Sequence, residues 1–367
     1  MALRAHPARM ASDPPTPLTD LLGDTRRLAL VGLAKNTGKT ETLAAILAEH
    51  AGAGTLVGVT SIGRDGEAHD VIDGRIEKPR VRLPAGSLVA TTGELLRASG
   101  LAHERLSQTG VRTPLGEVVL ARLSEPGIVE VAGPSAASDI RAVSDAMLEF
   151  GAEQVLIDGA IDRRAASSPA VSDGLLMATG AVLGEQIEQV VAATADAVDL
   201  VRLPRSGGAG DGARGTAEDA PAAGSEEQVA LTRRLVLSGE PAEIAALLEE
   251  HPRAGTLIAE GALSERFLEG LLAARTQRAG RELRIVAGDP TKVFLSRRGP
   301  DWYRRQGLAI EVVRTIDLKA ITINPVAPQS HSFDSQRLRE LIEAAVSDVP
   351  VLDVLNPHNR STAPIAH

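Results

Sequence analysis

Leu28-Ala29-Leu30-Val31-Gly32-Leu33-Ala34-Lys35-Asn36-Thr37-Gly38-Lys39-Thr40 decides how this chain is read. A short apolar run halts at Gly32, and residues 40–50 then carry a helical composition that ends near Gly52. Strand, glycine turn and helix in that order open an α/β unit. The turn has the residues of a phosphate cradle. Backbone N–H groups around Gly32, Asn36 and Thr37 would point inward, and the start of the helix adds its positive dipole end. Gly38 allows close approach of the main chain, Lys39 reaches the β- and γ-phosphates, and the Thr40 hydroxyl suits Mg²⁺. Lys35 is a candidate second positive charge there. A chance Gly-Lys-Thr at a helix start is the plain alternative, and the strand before it and the helix after it weigh against that.

The spacing departs from the common pattern. Five residues separate Gly32 from Gly38, and Leu33 stands where the first glycine usually lies. This longer loop resembles that of dethiobiotin synthetase-like members of the P-loop class.

Other apolar runs end in turns in the same way. Residues 56–60, 128–132 and 155–157 read as buried parallel strands, and residues 138–150 as a helix with a Ser before it and Gly151 after it as caps. Asp158 closes the third run and is the first candidate for the metal-side carboxylate, either directly or through water. A strand-ending Asp that merely caps a turn is the alternative. Asp162, Arg163 and Arg164 follow within reach of the same site, or form a solvated turn. Thr60-Ser61-Ile62-Gly63-Arg64-Asp65-Gly66-Glu67 lies where open α/β sheets collect ligands. Asp65 is a candidate for positioning water or Mg²⁺ and Arg64 for touching phosphate or a partner, against an ordinary Asx turn. Val131-Ala132-Gly133-Pro134-Ser135 reads as a third strand end of the same layer.

The organisation predicted is a loose leader over residues 1–25, a P-loop domain over 26–203, a flexible linker or insertion over 204–228, a C-terminal α/β half over 229–355 and a tail over 356–367. The linker is rich in Gly, Ala, Ser and acidic residues without apolar periodicity. Beyond it, strands are expected at 256–259, 283–287, 310–313 and 320–323, and helices at 242–250, 265–274 and 335–345. Whether this half stands alone or extends the first sheet is open. The fold class expected is α/β, a P-loop NTPase with a three-layer, mostly parallel sheet. No Asn-Lys-x-Asp guanine motif follows a strand, and Asp289-Pro290-Thr291-Lys292 has the wrong order, which favours ATP over GTP. Asn324-Pro325 is a candidate adenine contact or simply a turn signal.

Composition narrows the function classes. The 367 residues are 43% hydrophobic and only 2% aromatic, so the core must be aliphatic and few rings are offered to nucleic-acid bases. A net charge of −9 argues against nucleic acid or anionic membrane as a partner held by overall charge. Zero cysteines exclude disulfides and thiolate metal sites. No signal-peptide core or 18-residue apolar stretch is read, which makes the cytoplasm the expected compartment.

Taken together, Val31 to Thr40, Thr60 to Glu67, Thr113-Pro114-Leu115-Gly116-Glu117, Ala132-Gly133-Pro134-Ser135 and Ile157-Asp158-Gly159-Ala160 resemble one family in content and order. Ile323-Asn324-Pro325 and Pro350-Val351-Leu352-Asp353-Val354 continue the series. The likeness is to the P-loop subunit of lysine 5,6-aminomutase reactivases (the KamB family), good over residues 27–201 and patchy beyond. It implies an ATP- and Mg²⁺-dependent maintenance factor that, with a MutS-like partner subunit, ejects damaged cobalamin from an adenosylcobalamin-dependent aminomutase. The residues expected to act are Lys39, Asp65 and Asp158. A dethiobiotin synthetase-like ligase for a small carboxylate or carbamate and a purely regulatory nucleotide-binding module are the competing readings. A homodimer is compatible with all three. The leader and the insertion at 204–228 look like additions to the family pattern, which leaves the partner surface open.

Overall fold

The computed structural model describes residues 17–62, 80–160, 164–207, 227–275, 282–328 and 330–356. Ten α-helices accompany two main sheets among these residues. The larger sheet has nine strands, in the order Val351–Asp353, Leu318–Asn324, Gly174–Gly180, Arg27–Gly32, Gln154–Ala160, Val57–Ser61, Leu88–Thr92, Gly116–Leu123 and His103–Thr113. The first seven of these run parallel, and the last two form an antiparallel hairpin on the edge. The chain is therefore α/β with a large, mostly parallel sheet.

Alternation along the central strands builds three layers. Leu28 and Leu30 point to one face, where Leu43, Ile46 and Leu47 of the helix Lys39–Ala53 cover them. Ala29 and Val31 point to the other, onto a core shared with the helices Ala137–Glu149, Ile187–Val201 and Ser335–Val346. Such double burial is why these strands read as unbroken apolar runs. Each fully buried Leu or Ile contributes about 1.5–3 kcal/mol relative to exposure.

Several boundaries differ from the sequence reading. The end of the supposed leader is structured: Leu18–Leu22 is a helical turn with Leu18 and Leu22 buried. The Glu49 carboxylate accepts from the backbone N–H groups of Leu18 and Thr19 and from the Thr19 hydroxyl. Apolar burial and that carboxylate override the polar, proline-rich composition upstream. The run at 128–132 is not a strand of the main layer. Gly127–Glu130 pairs antiparallel with Arg80–Leu83 in a separate ribbon and leaves Ile128 exposed. The helix expected from Ser138 starts at Ala137, and its N-cap, Ala136, makes no side-chain cap bond.

The C-terminal half divides. Glu227–Leu231, Ala254–Ala259, Leu283–Ala287 and Leu308–Val312 form their own four-stranded parallel sheet, in sequential order. Leu318–Asn324 and Val351–Asp353 instead return to the nine-stranded sheet. The second unit is thus inserted between the helix Ile187–Val201 and the strand Leu318–Asn324.

Within that second unit a buried carboxylate organises a loop. Glu265 accepts hydrogen bonds from the Ser296 N–H and hydroxyl, the Arg297 and Arg298 N–H groups and the Tyr303 hydroxyl. Burial opposes its ionisation most strongly, but the bonds from Ser296, Arg297 and Arg298 together outweigh it and hold the carboxyl below its usual range. Because the folded pKa is depressed, the stabilisation is full above the unfolded value and is lost as pH falls through the folded one. Acidification from about pH 6 to pH 3 is expected to loosen this unit, and Glu265→Gln to flatten the response. Trp302, the single tryptophan, sits in the same unit and makes fluorescence-monitored urea titration the measurement.

Candidate functional site

The strand Arg27–Gly32 is where the sheet reverses its build direction. The chain first places Val57–Ser61, Leu88–Thr92 and Gln154–Ala160 on one side of it, then Gly174–Gly180 and Leu318–Asn324 on the other. In open parallel sheets the crevice outside the carboxyl ends at such a switch point is the ligand position. Gly32, Asp158, Gly180 and Asn324 all lie at that edge.

The turn leaving Gly32 has the backbone expected of a phosphate cradle. Asn36 and Gly38 adopt left-handed φ values of 67° and 88°, and Gly38 is the N-cap of the helix Lys39–Ala53. Left-handed residues placed within a turn gather N–H groups around one concavity. Neighbouring elements fix the loop. The Leu33 N–H donates to the Ala178 carbonyl at 2.9 Å, and the Thr37 hydroxyl to the Ala34 carbonyl at 3.0 Å. A side chain on Gly32 would collide with that Thr37 hydroxyl, 2.6 Å from an added Cβ.

Lys39 and Asp158 meet. Lys39 Nζ lies 2.6 Å from Asp158 Oδ1 and donates to the Gly159 carbonyl at 2.7 Å. Asp158 is only 6% exposed, between Leu30 and Ser61 on the flanking strands. Thr40 is exposed in the first turn of the helix, and Lys35 is exposed on the loop. Asp65 and Arg64, like Asp162 and Arg163, lie outside the described residues.

Asn324 reaches the loop from the other side of the switch point. Its amide N–H donates to the Asn36 carbonyl at 3.1 Å, and its Oδ1 accepts from the Val326 N–H at 3.1 Å. Its Cβ lies 2.9 Å from where a Cβ on Gly38 would sit, so Gly38 is required by this contact as well as by its φ. Both polar groups of Asn324 act within the protein, clasping the loop after Gly32 to the turn that follows the strand. One layer below, the Thr42 hydroxyl donates to the Gly38 carbonyl at 3.0 Å and lies 2.7 Å from the Thr322 hydroxyl. Thr42, Thr322 and Ala178 carry no motif signal, because their part in the loop exists only once the strands are assembled.

On the Asp158 flank, Ser61 and Gly133 close the edge. The Ser61 hydroxyl donates to the Val131 carbonyl at 3.0 Å and accepts from the Gly133 N–H at 3.3 Å. The segment after the ribbon strand Gly127–Glu130 therefore does border the carboxyl edge, although that strand belongs to another sheet. Among the described residues no helix is long and apolar enough to cross a membrane.

No protein-family model, curated protein or solved structure matches the chain.

Proposed function

We propose that this chain is a P-loop nucleoside triphosphatase that binds ATP at the loop of residues 32–40 and acts in the cytoplasm as a reactivation factor. The client is an adenosylcobalamin-dependent aminomutase of the lysine 5,6-aminomutase type, served together with a MutS-like partner subunit. The observation that carries the nucleotide reading is the meeting of Lys39 with Asp158 beneath a left-handed glycine turn at the switch point of the sheet. The reactivation reading rests on the ordered motif series described above.

The residues present fit Mg²⁺. Among the described residues no group of three or more His, Cys, Asp or Glu forms a metal cage. Mg²⁺ takes one or two carboxylates, its own waters and substrate phosphate oxygens, which Asp158 and the Thr40 hydroxyl complement. When bound, it supplies charge neutralisation at the β- and γ-phosphates. With nucleotide present, Lys39 would exchange its carboxylate partner for phosphate oxygens, and the N–H groups of the turn would hold the phosphates in a fixed orientation.

Slow Mg²⁺-dependent ATP hydrolysis, stimulated by an aminomutase or the partner subunit, is the expected behaviour. Hydrolysis that ignores both but accelerates with a small carboxylate or carbamate would replace this reading with the ligase one, which the five-residue loop spacing also suits. Asn324→Ala tests the clasp. One hydrogen bond to the loop and one within the turn are lost, each worth about 1 kcal/mol, so the melting temperature is expected to fall by a few degrees and ATP affinity by up to roughly fivefold, as the loop must be ordered on binding. Thermal unfolding reads the first and isothermal calorimetry the second.

A further inference from the structure

The second unit has a cleft of about 480 Å³ lined by Glu269, Arg297, Arg298, Trp302 and Tyr303. Its residues belong to segments that follow the strands Ala254–Ala259 and Leu283–Ala287, on the carboxyl side of the second parallel sheet. That is the side on which such sheets take ligands. We propose that the cleft binds a small anion carried on a planar ring, an aromatic phosphate or carboxylate, independently of the loop at residues 32–40.

Four observations support this assignment. Two guanidinium groups line the cleft with one carboxylate, Glu269, while the Glu265 carboxylate behind the loop is taken up by backbone N–H groups and the Tyr303 hydroxyl. Arg298 lies 5.2 Å over the Trp302 ring, a cation–π contact that steadies the guanidinium without consuming an N–H donor. Arg297 pairs with Glu269 at 3.1 Å, but both side chains are solvent-exposed, so an incoming anion competes against a screened bond. Finally, the only tryptophan and only tyrosine of the chain meet here, ring edge to face at 5.0 Å, beside two arginines.

The arginine loop is also pre-set. Glu265 pins the backbone N–H groups of residues 296, 297 and 298 and the Tyr303 hydroxyl, so the loop is held in place before any ligand arrives. A site whose supporting residues are already locked loses less entropy on binding. The volume falls within the roughly 300–1,000 Å³ of small-molecule pockets. A phosphate or carboxylate matches the guanidinium fork, and a planar ring can stack on the outer face of the Arg298 guanidinium, which Trp302 backs.

Because Trp302 is the single tryptophan, its emission reports on this cleft alone. Full-length protein is titrated with phenyl phosphate, benzoate and inorganic phosphate. A saturable emission change is expected with phenyl phosphate or benzoate, at least tenfold tighter than with inorganic phosphate. It should persist in Lys39→Ala and weaken at least tenfold in Arg298→Ala and in the Arg297→Ala/Arg298→Ala pair. Glu265 holds those two positions through their backbone, so the variants are expected to fold, which circular dichroism checks. Should the pair fail to fold, the Trp302 indole N–H resonance of the wild-type protein, followed through the same titrations, replaces it. No saturable response to either aryl probe, or a response that survives loss of both arginines, overturns the assignment.

Discussion

Lys39→Ala is expected to abolish measurable ATP hydrolysis and to weaken ATP binding severely. In the proposed reaction Lys39 is a side-chain cation placed by the helix start to follow charge onto the β- and γ-phosphates. Removing a preorganised electrostatic group of this kind costs about 10²–10³ in rate. A second effect makes the test more discriminating. Asp158 is buried and pairs with Lys39 at 2.6 Å, so the substitution also takes the ammonium partner from a buried carboxylate. Breaking such a pair from one side costs about 3 kcal/mol. Lys39→Ala should therefore melt earlier than wild type even without nucleotide, whereas Lys39→Ala/Asp158→Asn should recover much of the stability and none of the hydrolysis. Phosphate release and differential scanning calorimetry separate the two effects. A Lys39→Ala protein that still turns over ATP at the wild-type rate would sink the nucleotide reading.

Gly133→Ala is expected to give a larger loss of stability than the same substitution at any other described glycine. An added Cβ would stand 2.0 Å from the Ser61 carbonyl oxygen and 2.5 Å from the Thr60 hydroxyl. The first is backbone of a fully buried central strand and cannot rotate away. Overpacking of that severity costs on the order of 3 kcal/mol or more. Gly52→Ala is the matched control, since an added Cβ there meets nothing within 4 Å in the helix Lys39–Ala53. It should stabilise by about 0.5–1 kcal/mol through helix propensity alone. Urea denaturation followed by circular dichroism compares the pair, and equal midpoints would contradict the packing described at the Asp158 flank.

What could be read from sequence follows the range of the forces involved. The strand, turn and helix around Gly32 are legible because local composition fixes all three. The meeting of Lys39 with Asp158 is half legible: Lys39 opens a recognisable helix and Asp158 closes a recognisable apolar run, but their adjacency depends on Gln154–Ala160 slotting in beside Arg27–Gly32. The strand Gly174–Gly180 is as central, yet apolar patterning does not single it out. Its apolar stretch Leu175–Ala178 also suits a buried helix turn, and its identity as a strand comes from the neighbours that bury it. The hairpin from His103 to Leu123 escapes for the opposite reason, since its outer strand is mostly half-exposed and carries few apolar residues. The run at 128–132 misleads because β-branched residues suit a small surface ribbon as well as a core strand. Asn324 is legible as a strand end, but its grip on Asn36 spans 288 residues of chain.

That long reach has a consequence for how the protein is made. The second unit is complete by Val312, whereas the main sheet must wait for Leu318–Asn324 to emerge after it. Until then the loop after Gly32 lacks its clasp, and the helix Lys39–Ala53 lacks the hydroxyl of Thr322 beneath it. A ribosome-bound chain therefore carries the loop sequence through most of its synthesis without the finished cradle. Contacts this distant in sequence form late, after the entropy of closing the intervening chain has been overcome. On the proposed reading, competence to hold a nucleotide would arrive near the end of translation, after the fold that responds to it already exists.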